Sequence, residues 1–238
     1  MSRFISKLPG GFTWRVGPTL ITFVMIVVLL ALGTWQVKRL HWKEHILTTI
    51  HERLNSPPID LDVALKDPNA DYQPTYVSGL FQHDQEFYLN AISLKGEGGY
   101  SVLTPLQLED GRLLLVNRGW VPYDKRDPHT RPDRQSWGPV TIKGLLRHPQ
   151  HIWLQTANIP KKNIWYSIDL DAMARQAGVP RFLPYVLDAD ATPNDGGYPI
   201  GGQTRVDLPN NHLVYALIWY GLAFSLGVLY ILDACRKR

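Results

Sequence analysis

The sequence has very little cysteine: among its 238 residues, only Cys235 carries a thiol. One thiol cannot form a disulfide within the chain, and it cannot supply the two or more thiolates of a structural zinc site. Disulfide scaffolds and cysteine-rich zinc sites are therefore excluded. The hydrophobic share of 45% also excludes a disordered chain.

Charged residues are missing from two long stretches. Val16–Val37 holds 22 residues and Leu213–Leu232 holds 20 without Asp, Glu, Lys, Arg or His. A helix needs about 20 mostly apolar residues to cross the hydrocarbon core of a bilayer. The mean hydropathy of −0.16 hides these runs because a polar middle segment offsets them. We predict that both runs are transmembrane helices.

Acidic residues are scarce at both ends of the chain. The short segments outside the two runs carry six basic residues and one acidic residue: Arg3, Lys7, Arg15, Arg236, Lys237, Arg238 and Asp233. Short segments rich in Lys and Arg stay on the cytoplasmic side of a membrane. The middle segment, with the remaining 19 basic and 20 acidic residues, then lies on the other side. The basic balance of the chain therefore reflects two tails and indicates no nucleic-acid surface.

The first run has a second interpretation as a cleaved signal peptide. Basic residues precede it, and Ala31-Leu32-Gly33 is an acceptable cleavage site. However, the run is longer than the apolar region of about 7–15 residues in such peptides. Trp35, Lys38 and Arg39 also follow as an interfacial anchor would, so we predict that the helix is retained. Little room remains before it for an organelle presequence, so we expect a bacterial inner membrane.

The middle segment resembles a series of strands. The turn Asp110-Gly111 separates apolar runs at residues 100–108 and 112–121, which predicts a hairpin. The same pattern predicts further strands at residues 75–81, 85–91, 140–146, 151–155 and 185–187.

Helices are fewer in the middle segment. The first membrane helix is expected to continue to Leu54, because no proline interrupts it before Pro57. Asp169 is a predicted N-cap of a short helix at residues 170–176, and residues 61–69 suggest another.

These patterns predict a membrane protein in which two transmembrane helices flank a single, mainly antiparallel β domain of barrel or sandwich type, with one or two short helices. The expected segments are cytoplasmic tails at residues 1–17 and 233–238, membrane helices at 18–37 and 213–232, and an exported, periplasmic domain at 38–212.

Catalytic motifs are missing. The sequence has no G-x-S-x-G motif, and Lys95–Gly99 lacks the ending of a phosphate-binding loop. His148 and His151 are a candidate metal pair for an exported hydrolase, but Pro149 disfavours a helix that would bring them together. A surface pair is the simpler interpretation. We expect the protein not to be an enzyme.

His212 is the last ionisable residue before the second run. Tyr215, Ala216, Trp219 and Ala223 continue its helical face. An imidazole at a membrane boundary is a common axial ligand of haem iron, and small alanines would let a flat macrocycle approach. The alternative is an interfacial histidine in an ordinary aromatic belt that contacts membrane lipid.

Trp35 and Arg39 are expected at the depth of His212, because the two membrane helices run antiparallel. The Arg39 guanidinium could pair with a carboxylate such as a haem propionate through two hydrogen bonds. The alternatives are a lipid headgroup contact for Arg39 and interfacial anchoring for Trp35 and Trp42.

Three short motifs lie at the two membrane helices and in the middle of the chain. They are Gly33-Thr34-Trp35-Gln36 with Arg39 and Trp42-Lys43, Asn117-Arg118-Gly119-Trp120-Val121-Pro122, and Asn210-Asn211-His212-Leu213 with Tyr215-Ala216 and Trp219-Tyr220. In these motifs and in its predicted topology, nearly the whole chain resembles the Surfeit-locus (Surf) family of cytochrome c oxidase assembly proteins. Ile218 departs from the family pattern, in which a threonine is expected.

The resemblance implies a function and a ligand. Family members are membrane factors that help to insert haem a into oxidase subunit I, and His212 corresponds to their haem ligand. We expect haem a synthase to supply the haem. Support of the ligand by Arg39, Trp35, Tyr215 and Trp219 is our own inference. The alternative is a two-span scaffold or sensor whose exported domain binds a protein or small ligand without haem.

The middle motif, residues 117–122, has a structural interpretation. We predict that Gly119 permits a β-bulge, that Pro122 ends a strand and that Trp120 is buried. Docking of a partner protein on Arg118 and Trp120 is the alternative.

Overall fold

The computed structural model describes residues 15–131, 138–149, 156–194, 196–205 and 210–236. Internal contacts divide the chain into two units, Met1–Thr49 with Asp207–Arg238, and Ile50–Val206. We call the first unit the helix pair and the second unit the β domain. In chain order the elements are α1 (Val16–Leu54), β1 (Ile59–Asp60), α2 (Leu61–Ala64), β2 (Gln73–Phe81), β3 (Phe87–Ile92), β4 (Gly98–Gln107), β5 (Leu113–Pro122), β6 (Val140–Arg147), β7 (Ile164–Trp165), α3 (Leu170–Ala177), β8 (Val186–Ala189) and α4 (His212–Arg236).

The helix pair contains the two apolar runs. By length and composition, α1 and α4 could each cross a membrane. As predicted, α1 continues past its apolar run and ends at Leu54, just before Asn55-Ser56-Pro57-Pro58. The expected fold class, two apolar helices flanking a β-rich domain with short helices, is confirmed.

The β domain is built around a closed ring of strands. β2 pairs with β6 along most of its length and with β4 at Leu80 and Phe81, and the sequence of neighbours β2, β6, β8, β5, β4 returns to β2. The sheet is therefore a small five-stranded barrel, and β3 continues it beyond β4. Most pairings are antiparallel, but β8 runs parallel to β5, and the short β1 and β7 run parallel to β2 and β3.

All five ring strands contribute to the barrel interior. One core cluster includes Val77, Leu106, Leu114, Leu146 and Leu187, one residue from each strand. A second cluster lies on the opposite face of β5, where α3 packs, and includes Leu113, Leu115, Phe87, Trp165 and Met173. Because β5 is buried on both faces, its sequence is an almost continuous apolar run.

The middle motif has the predicted structural role. The pairing of β4 with β5 shifts by one residue, with Val102 opposite Gly119 and Leu103 opposite Asn117, so a bulge lies at this point. Gly119 has φ +127°, a conformation that favours glycine. Trp120 is buried, and Pro122 is the last residue of β5.

The structure also differs from the sequence prediction in local detail. The helix expected at residues 61–69 ends at Ala64. β3 begins two residues later than predicted, because His83–Gln85 form a turn of 3-10 helix. The two-residue strands β1 and β7 were not predicted at all. The strand expected at residues 151–155 lies outside the described residues.

Candidate functional site

Hydroxyl groups join α1 to α4 at two points. Thr19 Oγ1 lies 2.5 Å from the Tyr230 hydroxyl, and Thr34 Oγ1 lies 3.2 Å from the Tyr220 hydroxyl. Each threonine hydroxyl already donates its proton to a backbone carbonyl one turn earlier, so the tyrosine is the donor in both pairs. Residue numbers rise along α1 as they fall along α4, which shows that the helices are antiparallel.

His212 makes a third contact between the helices. Its Nδ1 lies 2.7 Å from Oε1 of Gln36. An amide oxygen can only accept a hydrogen bond, so Nδ1 carries the proton and donates it. Among the described residues, Nε2 of His212 has no hydrogen-bond partner. The half-buried imidazole is thus held on one side and available on the other.

Arg39 lies one helical turn beyond the residue that contacts His212. Gln36 and Arg39 are one turn apart on α1, so the depth expected for Arg39 agrees with the antiparallel arrangement. The exposed Arg39 guanidinium lies 3.8 Å above the ring of Trp42. It forms no ion pair with any described residue. A cation resting on an aromatic ring can move to a carboxylate without first breaking an ion pair.

Trp35 and Arg39 both lie on the exposed side of α1. Gly33 packs closely against the ring of Tyr220, so the Gly33 face is turned towards α4. Successive residues of α1 are rotated by about 100° around the helix axis, so Gln36 lies about 60° from Gly33. Arg39 and Trp35 lie further round in the same direction, at about 120° and about 160° from Gly33. Trp35 is 55% exposed. Arg39 and Trp35 are thus only about 40° apart around the helix axis, and a role for either residue beside His212 stays a prediction.

The alanines do not leave the space expected for a macrocycle. Ala216 and Ala223 are only 2% and 5% exposed, so the face that they share is already covered. That part of the sequence prediction is wrong. Around the helix axis, Ala216 lies about 40° to one side of His212, and Tyr215 lies about 60° to the other. Tyr215 is 51% exposed and Trp219 is half-buried.

These positions define one edge of the helix pair, which we call the His212 edge: Gln36, Arg39, His212, Tyr215 and Trp219. Tyr220 and Thr34 meet at the opposite edge. An occupant that uses the free nitrogen of His212 would lie along the exposed His212 edge and not between the helices.

Gln36 is the site residue that sequence reasoning overlooked. It belongs to the first motif, but it was given no role there. A signal was available, because Gln36 is the only carboxamide within the uncharged run Val16–Val37. A polar side chain in such a run is costly unless it has a partner.

The β domain contains a cluster of buried charges around Glu86. The Glu86 carboxylate is 3.3 Å from Nη1 of Arg118 and 2.5 Å from Nη2 of Arg131, and it accepts a 3.0 Å hydrogen bond from the Tyr88 hydroxyl. Nη1 of Arg118 also lies 3.4 Å from Nδ1 of His83. Burial, together with the neighbouring Glu86 carboxylate, raises the pKa of Tyr88.

Arg118 and Arg131 share a single carboxylate, and Nε and Nη1 of Arg131 are buried without a hydrogen-bond partner among the described residues. Glu86 is 6% exposed and pairs with both arginines, so the cluster links distant segments of the β domain as an internal support. The burial of Arg118 and Trp120 also favours the structural interpretation of the middle motif over a docking surface.

The histidine pair of the β domain is only partly described. The backbone N–H of His148 donates to Asp71, and its ring packs edge-on against Tyr185. His151 lies outside the described residues. Within the part of the chain that the structure describes, no group of three His, Cys, Asp or Glu residues could hold a metal ion.

Comparison with known proteins gives a consistent result. The model of the SURF1 family matches residues 23–224. Surfeit locus protein 1 of Rattus norvegicus is 35% identical over 223 residues, which cover 87% of this chain and 72% of the rat protein. A SURF1-like protein of Monosiga brevicollis is 36% identical over 236 residues, 92% of this chain and 85% of its own length. Surfeit locus protein 1 of Homo sapiens is 35% identical over 228 residues, 88% of this chain and 75% of its own length.

Proposed function

The chain belongs to the SURF1 family of cytochrome c oxidase assembly factors, and we propose that it binds haem a and helps its insertion into oxidase subunit I. The haem is cargo in this role, and the protein acts as a chaperone without catalysing a reaction.

The proposal rests on the hydrogen bonding of the two ring nitrogens of His212. Its Nδ1 is engaged with Gln36, while its Nε2 has no hydrogen-bond partner among the described residues. A neutral imidazole with a free nitrogen is a suitable axial ligand for iron. Such a ligand at the end of an apolar helix would meet a hydrophobic macrocycle at the membrane boundary.

The rest of the His212 edge fits the same cargo. Arg39 rests on Trp42 and has no acidic partner among the described residues, so it is available to a propionate. Tyr215 and Trp219 offer aromatic surface beside the ligand. Trp35 would act at a distance, as an interfacial anchor that fixes the depth of α1.

A single protein ligand suits a carrier. His212 would hold the iron from one side, and Arg39 would fix the orientation of the macrocycle. A second strong ligand would slow release, whereas one ligand lets subunit I complete the coordination and remove the cargo. Haem a synthase is the proposed donor. Haem o would meet the same ligand and the same cation.

We place the protein in a bacterial inner membrane, with both termini cytoplasmic and the β domain periplasmic. The two apolar helices and the basic tails support this placement. It puts Cys235 on the reducing side and the His212 edge at the outer leaflet.

The proposal is tested by purifying the full-length protein from cells with an intact haem a supply. We expect wild type to carry haem, His212→Ala to lose most of it, and the matched control His148→Ala, a histidine of the β domain, to keep it. The measurements are haem stoichiometry and the visible spectrum. Full stoichiometry with an unshifted spectrum in His212→Ala would contradict the assignment of the ligand. Haem-free wild type would favour the scaffold or sensor alternative.

A further inference from the structure

The hydrogen bond between Gln36 and His212 has a chemical meaning beyond its contribution to helix packing. We propose that Gln36 is a positioning residue that selects the iron-binding tautomer of His212 and sets the strength of the ligand. This inference rests on the proposed haem-binding function.

A histidine ring has two nitrogens, and the neutral ring carries a proton on one of them. Gln36 offers its carbonyl oxygen to Nδ1 at 2.7 Å, which requires the proton at that position. The lone pair then lies on Nε2, the nitrogen without a partner among the described residues. Without this acceptor, both tautomers would form, and one of them presents N–H instead of a lone pair to the iron.

The surroundings make the pair specific. Among the described residues, the Gln36 side chain makes no other hydrogen bond. It therefore has no competing partner, and the apolar setting strengthens the bond that it does make. The hydrogen bond also fixes the rotation of the imidazole ring, because both groups are half-buried on rigid helices.

The chemical nature of the acceptor also matters. Histidine ligands of metals usually donate their second N–H to a carboxylate or a carbonyl, which orients the ring and raises its basicity. A carboxylate would give the most basic imidazole and the tightest iron bond. The neutral carboxamide of Gln36 gives a weaker one, which suits cargo that must be released.

The hydroxyl contact between Thr34 and Tyr220 provides an internal comparison within the helix pair. Thr34 and Tyr220 bond through hydroxyl groups and touch no metal-binding side chain. Thr34→Val removes a hydrogen bond of the same helix pair two residues before Gln36. It is therefore a matched control for loss of packing alone.

The experiment compares full-length wild type, Gln36→Leu, Gln36→Glu and Thr34→Val in lipid nanodiscs. Each is titrated with haem a, and the affinity, the visible spectrum and the reduction potential of the bound haem are measured. We expect Gln36→Leu to bind about 10- to 100-fold more weakly, with a raised potential, because the imidazole becomes a poorer donor. Gln36→Glu should restore affinity and lower the potential below that of wild type. Thr34→Val should leave all three measurements unchanged.

The outcomes separate the two claims. If wild type binds haem through His212, but Gln36→Leu behaves like Thr34→Val, the role of Gln36 is refuted and the proposed function stands. If Gln36→Leu and Gln36→Glu shift the potential in the same direction, Gln36 contributes packing only. If wild type does not bind haem a, both claims fail.

Discussion

The helix pair and the β domain use polar side chains in opposite ways. In the helix pair, Thr19 contacts Tyr230, Thr34 contacts Tyr220 and Gln36 contacts His212, so each of these contacts pairs a hydroxyl or carboxamide with a tyrosine or a histidine. In the β domain, the carboxylate of Glu86 and the guanidinium groups of Arg118 and Arg131 are buried together, and the two arginines share the one carboxylate.

This difference shows which buried polar side chains indicate a role in the fold and which indicate a function. A buried ion pair such as that of Glu86 with Arg131 is explained by the fold, because each charge offsets part of the cost of burying the other. The carboxamide of Gln36 lies in an uncharged run and has no such explanation, so the identity of its partner His212 is informative. The next three predictions test this contrast from the largest expected effect to the smallest.

Removal of the Glu86 carboxylate should strongly destabilise the β domain. Glu86→Ala leaves Arg118 and Arg131 buried without their shared carboxylate, and loss of one partner from a buried ion pair costs about 3–5 kcal/mol. Thermal unfolding of the full-length protein, followed by intrinsic tryptophan fluorescence to which the buried Trp165 contributes, measures the loss. Asp110→Asn is the control, because it weakens only an exposed ion pair with Arg112. Equal midpoints for the two variants would show that the cluster is not a support.

Gly119→Ala should also destabilise the β domain. The new methyl group would collide with the carbonyl oxygen of Ile200, and the φ of +127° is itself unfavourable for alanine. We expect a loss of about 3 kcal/mol in the free energy of unfolding. The control Gly96→Ala has a φ of +88° in open space, so it tests backbone strain without the collision. Similar midpoints in the same thermal assay would mean that the bulge can relax.

The smallest effect is expected in the helix pair. Tyr220→Phe deletes the hydroxyl that donates to Thr34 at the edge opposite His212. A hydrogen bond between membrane helices contributes about 0.6 kcal/mol on average. We expect a slight loss of stability in detergent unfolding and an unchanged affinity for haem a. A weaker haem affinity would show that the His212 edge depends on the packing of the whole pair.

Much of the fold follows from local sequence signals. Asp110-Gly111 predicts its hairpin because the turn itself requires those residue types, and Gly111 indeed has φ +83°. Gly119 and Pro122 mark the bulge and the end of β5 for the same reason. Asp169 caps α3 as expected, with its side chain accepting from the Ala172 N–H.

The features that local sequence signals do not predict depend on contacts between residues that are far apart in the chain. β1 and β7 are two-residue strands that exist only because a neighbouring strand lies alongside, so no local pattern marks them. In the site, the antiparallel order of the two apolar runs predicts that His212, Trp35 and Arg39 lie at one depth. It cannot show that Gln36 and His212 meet, because that depends on the rotation of both helices about their axes.

The closure of the barrel has a consequence for biogenesis. β2 pairs with β6, which begins at Val140, about 60 residues later in the chain. If translocation is sequential, β2 leaves the membrane first and keeps an open edge until β6 arrives, whereas the hairpin of β4 and β5 can form at once. The barrel therefore closes late, and the growing chain is most vulnerable to aggregation and proteolysis while this edge of β2 is open.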